Sequence, residues 1–266
     1  MLNHFIYSNP TWLWGAVIVF AFVTAALVGL VIFHRIIHLE VRKAHNELAG
    51  FTVAIVAVTY AVLLAFIAIA TWESYTRAGE VVDREAAFVG NIYRDTVALP
   101  PDVGKDMRAD LQQYVHMVIE EEWPEQQKGE PPTAGWEPLY RLHAAIVTLH
   151  PMTMGEQVVE AELLKVLNDL YGARANRLSA VEGHIPDAVW WLILLGGMIT
   201  TGYMYLFGFH DFRMHLVMTA AVSASLALVV VLIMALDWPF RGEVSISSDA
   251  FVKVQQSWAE LKLDGK

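Results

Sequence analysis

Half of the ten histidines gather near two short polar stretches, with His34, His38 and His45 in one and His210 and His215 in the other. Imidazole titrates near neutrality and binds borderline divalent metals, so this grouping has two chemical readings, a pH sensor or a metal site. His34 and His38 stand four apart, which on an unbroken helix puts them on one face. Glu40 and Asp211 lie nearby. The plainer reading is that histidine is tolerated in interfacial loops. A second concentration is acidic: Glu120-Glu121-Glu122 with Glu125 would either hold a cation or form a solvated helix end, and the solvated end is expected. Catalytic chemistry is not in evidence. The chain has no cysteine, hence no thiolate nucleophile, disulfide or thiolate metal site. No Ser-His-Asp set, Walker-type glycine loop, paired hydrolytic carboxylates or His-Glu-x-x-His motif is recognisable. No enzyme activity and no cofactor are expected.

The elements that position these residues follow from where charge is missing. Of 266 residues, 56% are hydrophobic and 17% charged, against about 25% charged in a soluble domain. The deficit falls in four stretches, Trp12–Phe33, Leu48–Trp72, Ala188–Phe209 and Leu216–Leu236, none of which contains Asp, Glu, Lys or Arg. Each exceeds the ~18 residues that take a helix across a bilayer. The first span lacks the basic start of a secretion signal and is read as a retained helix. Trp12, Trp14, Trp72, Trp190, Trp191 and Trp238 fall at span ends which, with four alternating helices, all lie at one membrane face. Indole rings favour that headgroup zone. The expected fold is an all-α membrane protein: residues 1–72 carry the first two spans, 73–184 a helical hydrophilic domain, 185–236 the last two spans, and 237–266 a C-terminal tail.

The second span is expected to continue past the membrane as a helix from Asn46 to Leu99, ended by Pro100-Pro101. A second domain helix is expected from Asp102 to Trp123, stopped by Pro124, then a loop over Glu125–Gly135 and a helix over Trp136–Leu149. Thr153 and Glu156 have capping-box spacing at the start of another. Between Glu73 and Glu182 there are 19 acidic and 10 basic residues, which argues against nucleic acid as a partner, since phosphate binding needs a basic surface. The short loops opposite the domain carry Arg35, Arg42, Lys43 and Arg213, and the domain-side flanks Arg77, Arg84, Arg174, Arg177 and Arg241. Counting short loops alone puts the domain outside; counting all flanks gives near balance. Ala54, Ala57, Ala61, Ala65 and Ala68 form a small-residue stripe on the second span, suited to helix packing or to a pore lining, with packing the stronger reading. Gly196-Gly197 in the third span reads as a packing or kink site.

Several motifs together carry a resemblance: His45-Asn46-Glu47-Leu48-Ala49-Gly50-Phe51, Tyr60-Ala61-Val62-Leu63-Leu64-Ala65-Phe66, Glu121-Glu122-Trp123-Pro124, and Leu236-Asp237-Trp238-Pro239-Phe240-Arg241-Gly242. Over nearly its whole length the chain resembles bacterial membrane proteins described as bestrophin-like, and more distantly the bestrophin channels. That resemblance implies a homo-oligomer, a pentamer, passing small inorganic ions through a neck of apolar second-span side chains. Leu64-Ala65-Phe66 resembles the neck element, and Val58, Val62 and Phe66 would be the neck residues. It also implies a bacterial inner-membrane protein with a cytoplasmic domain, against the stricter charge count. Trp238-Pro239-Phe240 resembles part of the element after the last bestrophin span, but the following Arg-Gly-Glu-Val-Ser-Ile-Ser-Ser-Asp lacks a dense acidic run, which puts calcium gating in doubt. The arginine that follows the neck motif in many bestrophins is Ile67 here. The ion's sign stays open. A membrane-anchored scaffold or sensor, whose helical domain binds a partner protein, is the alternative.

Overall fold

A charge-free stretch in hydrocarbon can satisfy its peptide groups only within itself, which makes each of these segments a helix. The computed structural model describes residues 9–261, and among them there is no strand. In chain order the helices are α1 (Thr11–Ile36), α2 (Leu39–Ala44), α3 (Asn46–Asp95), α4 (Pro101–Met117), α5 (Trp123–Lys128), α6 (Trp136–Val147), α7 (Met154–Glu182), α8 (Asp187–Tyr205), α9 (Phe212–Leu236) and α10 (Asp249–Leu261). Helices α1, α3, α8 and α9 are long and apolar enough to cross a membrane. The chain divides into two units. One takes in the chain up to Ser74, His184–Asp237 and Gly242–Val244; the other takes in Tyr75–Gly183, Trp238–Arg241 and the chain from Ser245 onward.

In the first unit α1 packs along α9, and α8 touches both. The membrane part of α3 joins them through Tyr60 and Leu64, buried with Ile193, Val230 and Ile233. A buried phenol needs an acceptor, and Tyr60 donates to the Ile193 carbonyl at 2.5 Å. Its ring lies where a side chain on Gly196 would have to go, so Gly196-Gly197 is a packing site. Thr52, Thr59, Thr71 and Thr200 each donate to the carbonyl four residues back, which satisfies a hydroxyl inside a span. The third span ends at Tyr205, short of the expected Phe209. There Asn46 pairs with Gly208 as a peptide would, accepting from its N–H at 2.8 Å and donating to its carbonyl at 3.1 Å.

The second unit has one core, to which α3 contributes Val82, Val89 and Ile92, α4 Met107 and Leu111, α6 Leu139 and Leu142, and α7 Leu163 and Leu167. Helix α3 is about 75 Å long at ~1.5 Å per residue and closes in a single 3-10 turn, Thr96–Ala98. Pro124 does not stop the next helix, contrary to expectation. Val118–Glu122 forms a wide π-turn in which the Trp123 N–H reaches back five residues to Val118. Such a bulge absorbs the missing donor and the ring of a proline, so the helical path runs on to Lys128 and ends at Gly129 with φ 82°. The loop is therefore shorter than expected. At α7 the capping box is formed: Thr153 Oγ1 accepts from Glu156 N at 3.2 Å, and Glu156 Oε2 from Thr153 N at 3.1 Å. Residues beyond 237 do not stand apart as a tail. Phe240, Phe251 and Trp258 are buried in this same core, and Trp258 stacks on Tyr93 at 4.4 Å. Positions 262–266 lie outside the described residues.

Candidate functional site

Helix α3 has two different faces within the first unit, one turned inward and one outward. Tyr60, Leu64 and Thr71 are buried, whereas Leu48, Phe51, Ile55, Val58, Val62, Phe66, Ile69 and Trp72 are exposed. Val58, Val62 and Phe66 are 63%, 49% and 67% exposed. They sit on one side of the helix, within roughly 80° at 3.6 residues per turn. The exposed face also has a period the sequence reading passed over. Leu48, Ile55, Val62 and Ile69 recur every seven residues, as do Phe51, Val58, Ala65 and Trp72, the spacing with which helices associate along a seam. Of the small-residue stripe, Ala54, Ala61 and Ala65 are exposed as well, whereas Ala57 and Ala68 are half-buried and Ala68 packs against the core around Tyr60 and Leu64.

The loop histidines are dispersed. His34 and His38 do not share a helix face, because α1 ends at Ile36 and Ile37 is extended, with φ −111° and ψ 120°. His38 becomes the residue that opens α2. His34 Nδ1 accepts from Arg42 Nη2 at 2.5 Å, and its ring lies 4.4 Å from that of Phe212. Arginine only donates, so His34 makes this bond as the neutral imidazole. His215 is buried and donates from Nε2 to the Met204 carbonyl at 2.8 Å; it lies close enough to Arg42 and His34 to interact with both. His210 accepts from Lys43 Nζ at 2.9 Å, and His45 donates from Nδ1 to the Val41 carbonyl at 2.8 Å. Among the described residues no three His, Asp or Glu side chains are arranged to hold a metal ion.

A third arrangement, missed in the sequence, lies in the second unit. Glu85, Glu122, Arg174 and Arg177 are each fully buried. Arg177 bridges the two carboxylates, from Nε to Glu85 at 2.7 Å and from Nη2 to Glu122 at 2.8 Å. Arg174 holds Glu122 through both terminal nitrogens, at 3.0 and 2.7 Å, and lies 4.6 Å over the Trp136 ring. Tyr114 donates to Glu85 at 2.5 Å. Burial alone would lower the Arg177 pKa, but Glu85, with Tyr114 and Glu122, reverses this and drives it up. Burial, reinforced by Glu85, likewise raises Tyr114. Two carboxylates thus face two guanidinium groups at zero exposure. Of the acidic run expected to be solvated, Glu120 and Glu121 are exposed and Glu122 is not. A signal existed: Arg174 and Arg177 occupy positions in the apolar repeat of α7 formed by Leu163, Val166, Leu167, Leu170 and Val181.

Four apolar helices, with a helical hydrophilic unit inserted between the second and third, define a multi-pass membrane protein of bestrophin-like architecture. The family model of the Bestrophin-like domain matches residues 20–251, and the chain belongs to that family. Comparison with curated protein sequences gives no match. The fold is similar to that of a single-substitution variant of a bacterial bestrophin homologue from Klebsiella pneumoniae, with TM-score 0.67 and 11% identity over 93% of this chain and 99% of that one. A second variant of that homologue gives TM-score 0.62 at 11% identity, over 95% and 98% of the two chains. A variant of a protein described only as a membrane protein gives 0.64 at 12%, over 91% and 97%.

Proposed function

We propose that the protein is a homo-oligomeric ion channel, a pentamer of the bacterial inner membrane with its hydrophilic unit in the cytoplasm. The α3 helices of neighbouring copies surround the pore, and Val58, Val62 and Phe66 form its apolar neck. The observation that carries this reading is the uncovered face of α3. It runs the length of the membrane segment, repeats every seven residues and stays exposed among the described residues, while the opposite face is buried or half-buried around Tyr60 and Leu64. A ring of such faces gives a dry constriction that gates by dewetting. Membership of the bestrophin-like family supports the same reading, since bestrophins are channels.

The test is at Phe66, the bulkiest of the three. A core Phe→Ala change costs ~3–5 kcal/mol, but a side chain this exposed within its own chain has little of that to lose. Phe66→Ala therefore folds and assembles, and raises conductance in planar bilayers; Phe66→Trp lowers it. A well-assembled Phe66→Ala oligomer that passes no ions at any voltage or pH tried would end the channel reading in favour of a scaffold.

A further inference from the structure

In the second unit Glu85 and Glu122 are paired with Arg174 and Arg177, whereas the first unit holds a buried arginine with no ion pair among the described residues. Arg42, in α2 between the first two spans, is 3% exposed. Its Nη1 donates to the carbonyls of Tyr205 and Phe207 at 3.4 and 3.3 Å, and its Nη2 to His34. These acceptors are neutral, and Nε has no hydrogen-bond partner among the described residues. No carboxylate among the described residues forms an ion pair with Arg42; Glu40 and Glu47, the nearest in sequence, are exposed, as is Asp211. Burial lowers the Arg42 pKa, yet guanidinium keeps its proton in proteins. A buried cation without a counter-ion is a costly arrangement.

Arg42 lines a cavity of about 270 Å³. The rest of its wall is largely apolar, supplied by Phe33 and Ile37 at the end of the first span, Val41, Leu48 at the start of the second, and Leu206 after the third. One cation set among apolar side chains where three spans end is matched by an amphiphile with an anionic head. We infer that this cavity binds an acidic membrane lipid, whose headgroup supplies the counter-ion of Arg42 and whose first acyl segment lies along Phe33, Ile37, Leu48 and Leu206. A free inorganic anion would satisfy the charge but leave the apolar wall uncovered. The site belongs to the membrane unit alone and stands whether or not the protein conducts.

Native mass spectrometry of the full chain in detergent tests it, with dioleoylphosphatidylglycerol and dioleoylphosphatidylcholine offered at equal mole fraction. The wild type takes up the acidic lipid about fivefold in excess, the ratio expected for ~1 kcal/mol per basic group. Arg42→Gln loses that excess. Because Arg42 also anchors two carbonyls, a second variant decides the matter if this one fails to fold. Val41 is exposed and lines the cavity, so Val41→Glu places a carboxylate beside Arg42 and abolishes the excess while the fold is retained. Equal uptake of both lipids by the wild type, or an excess that survives in folded Val41→Glu, overturns the inference. So does displacement of bound phosphatidylglycerol by inorganic phosphate, which would mark a site for free anions.

Discussion

Replacing Arg177 by Met isolates what the buried charges of the second unit contribute. In the wild type two carboxylates face two guanidinium groups, and the group is neutral. Without Arg177, Glu85 keeps only the Tyr114 hydroxyl, Glu122 keeps only Arg174, and one negative charge is left uncompensated at zero exposure. Stranding a buried charge in this way costs about 3–5 kcal/mol. For a chain of this size that lowers the midpoint of thermal unfolding by roughly 6–20 °C. Circular dichroism of the detergent-solubilised protein reads the shift. The double variant Arg177→Met, Glu85→Gln removes one charge of each sign and returns the group to neutrality around Glu122 and Arg174. It is expected to recover at least half of the lost midpoint, since pairs in contact are strongly non-additive. A double variant as unstable as the single one would show that Arg177 acts by packing against Trp123 and Phe251 and that charge balance is not what the site requires.

Gly135 has φ 83°, and a side chain there would overlap Glu122 Oε1; Gly135→Ala is expected to cost at least ~1–2 kcal/mol, and an unchanged unfolding midpoint would refute the claim that this close approach matters. Asp237 accepts from Ile185 N at 2.7 Å, and burial raises its carboxyl above the usual range despite that bond. The folded state then binds the proton more tightly than the unfolded chain, so this group's contribution to stability falls as pH rises from the ordinary carboxyl range through the raised pKa. Asp237→Asn should flatten that part of the dependence, and superimposable profiles of midpoint against pH would exclude it. Cysteines introduced at Val41 and at Lys128, both exposed, should react with an impermeant reagent from opposite sides of the membrane; labelling of both from one side would sink the four-span arrangement.

The membrane part of this fold was readable because its signal is an absence: a stretch without charge has one backbone solution in hydrocarbon, so four spans follow from composition. Boundaries that depend on one backbone atom were not readable. Pro124 looks like a stop, and only the five-residue reach of the Trp123 N–H shows why it is not. Phe251 and Trp258 looked like part of a tail because a single short amphipathic helix, α10, says nothing about which surface it covers.

Charge was misread in both directions, for one physical reason. A glutamate or arginine in sequence looks solvated, since lone buried charges are rare, and what reverses that expectation is a partner brought from far along the chain. Glu122 meets Arg174 and Arg177 across more than fifty residues, so its neighbours Glu120 and Glu121 were poor guides to it. Arg42 was counted only as one of the basic residues that orient the spans, yet it is buried and meets carbonyls more than 160 residues away. The informative pattern in each case is a charged residue where an apolar repeat or a packed turn leaves it no route to water. Such a residue must find either a counter-charge within the fold or a ligand that brings one. Glu122 has the first. Arg42 has no carboxylate partner among the described residues, and for that reason the membrane unit, more than the acidic domain, is where a bound ligand should be sought.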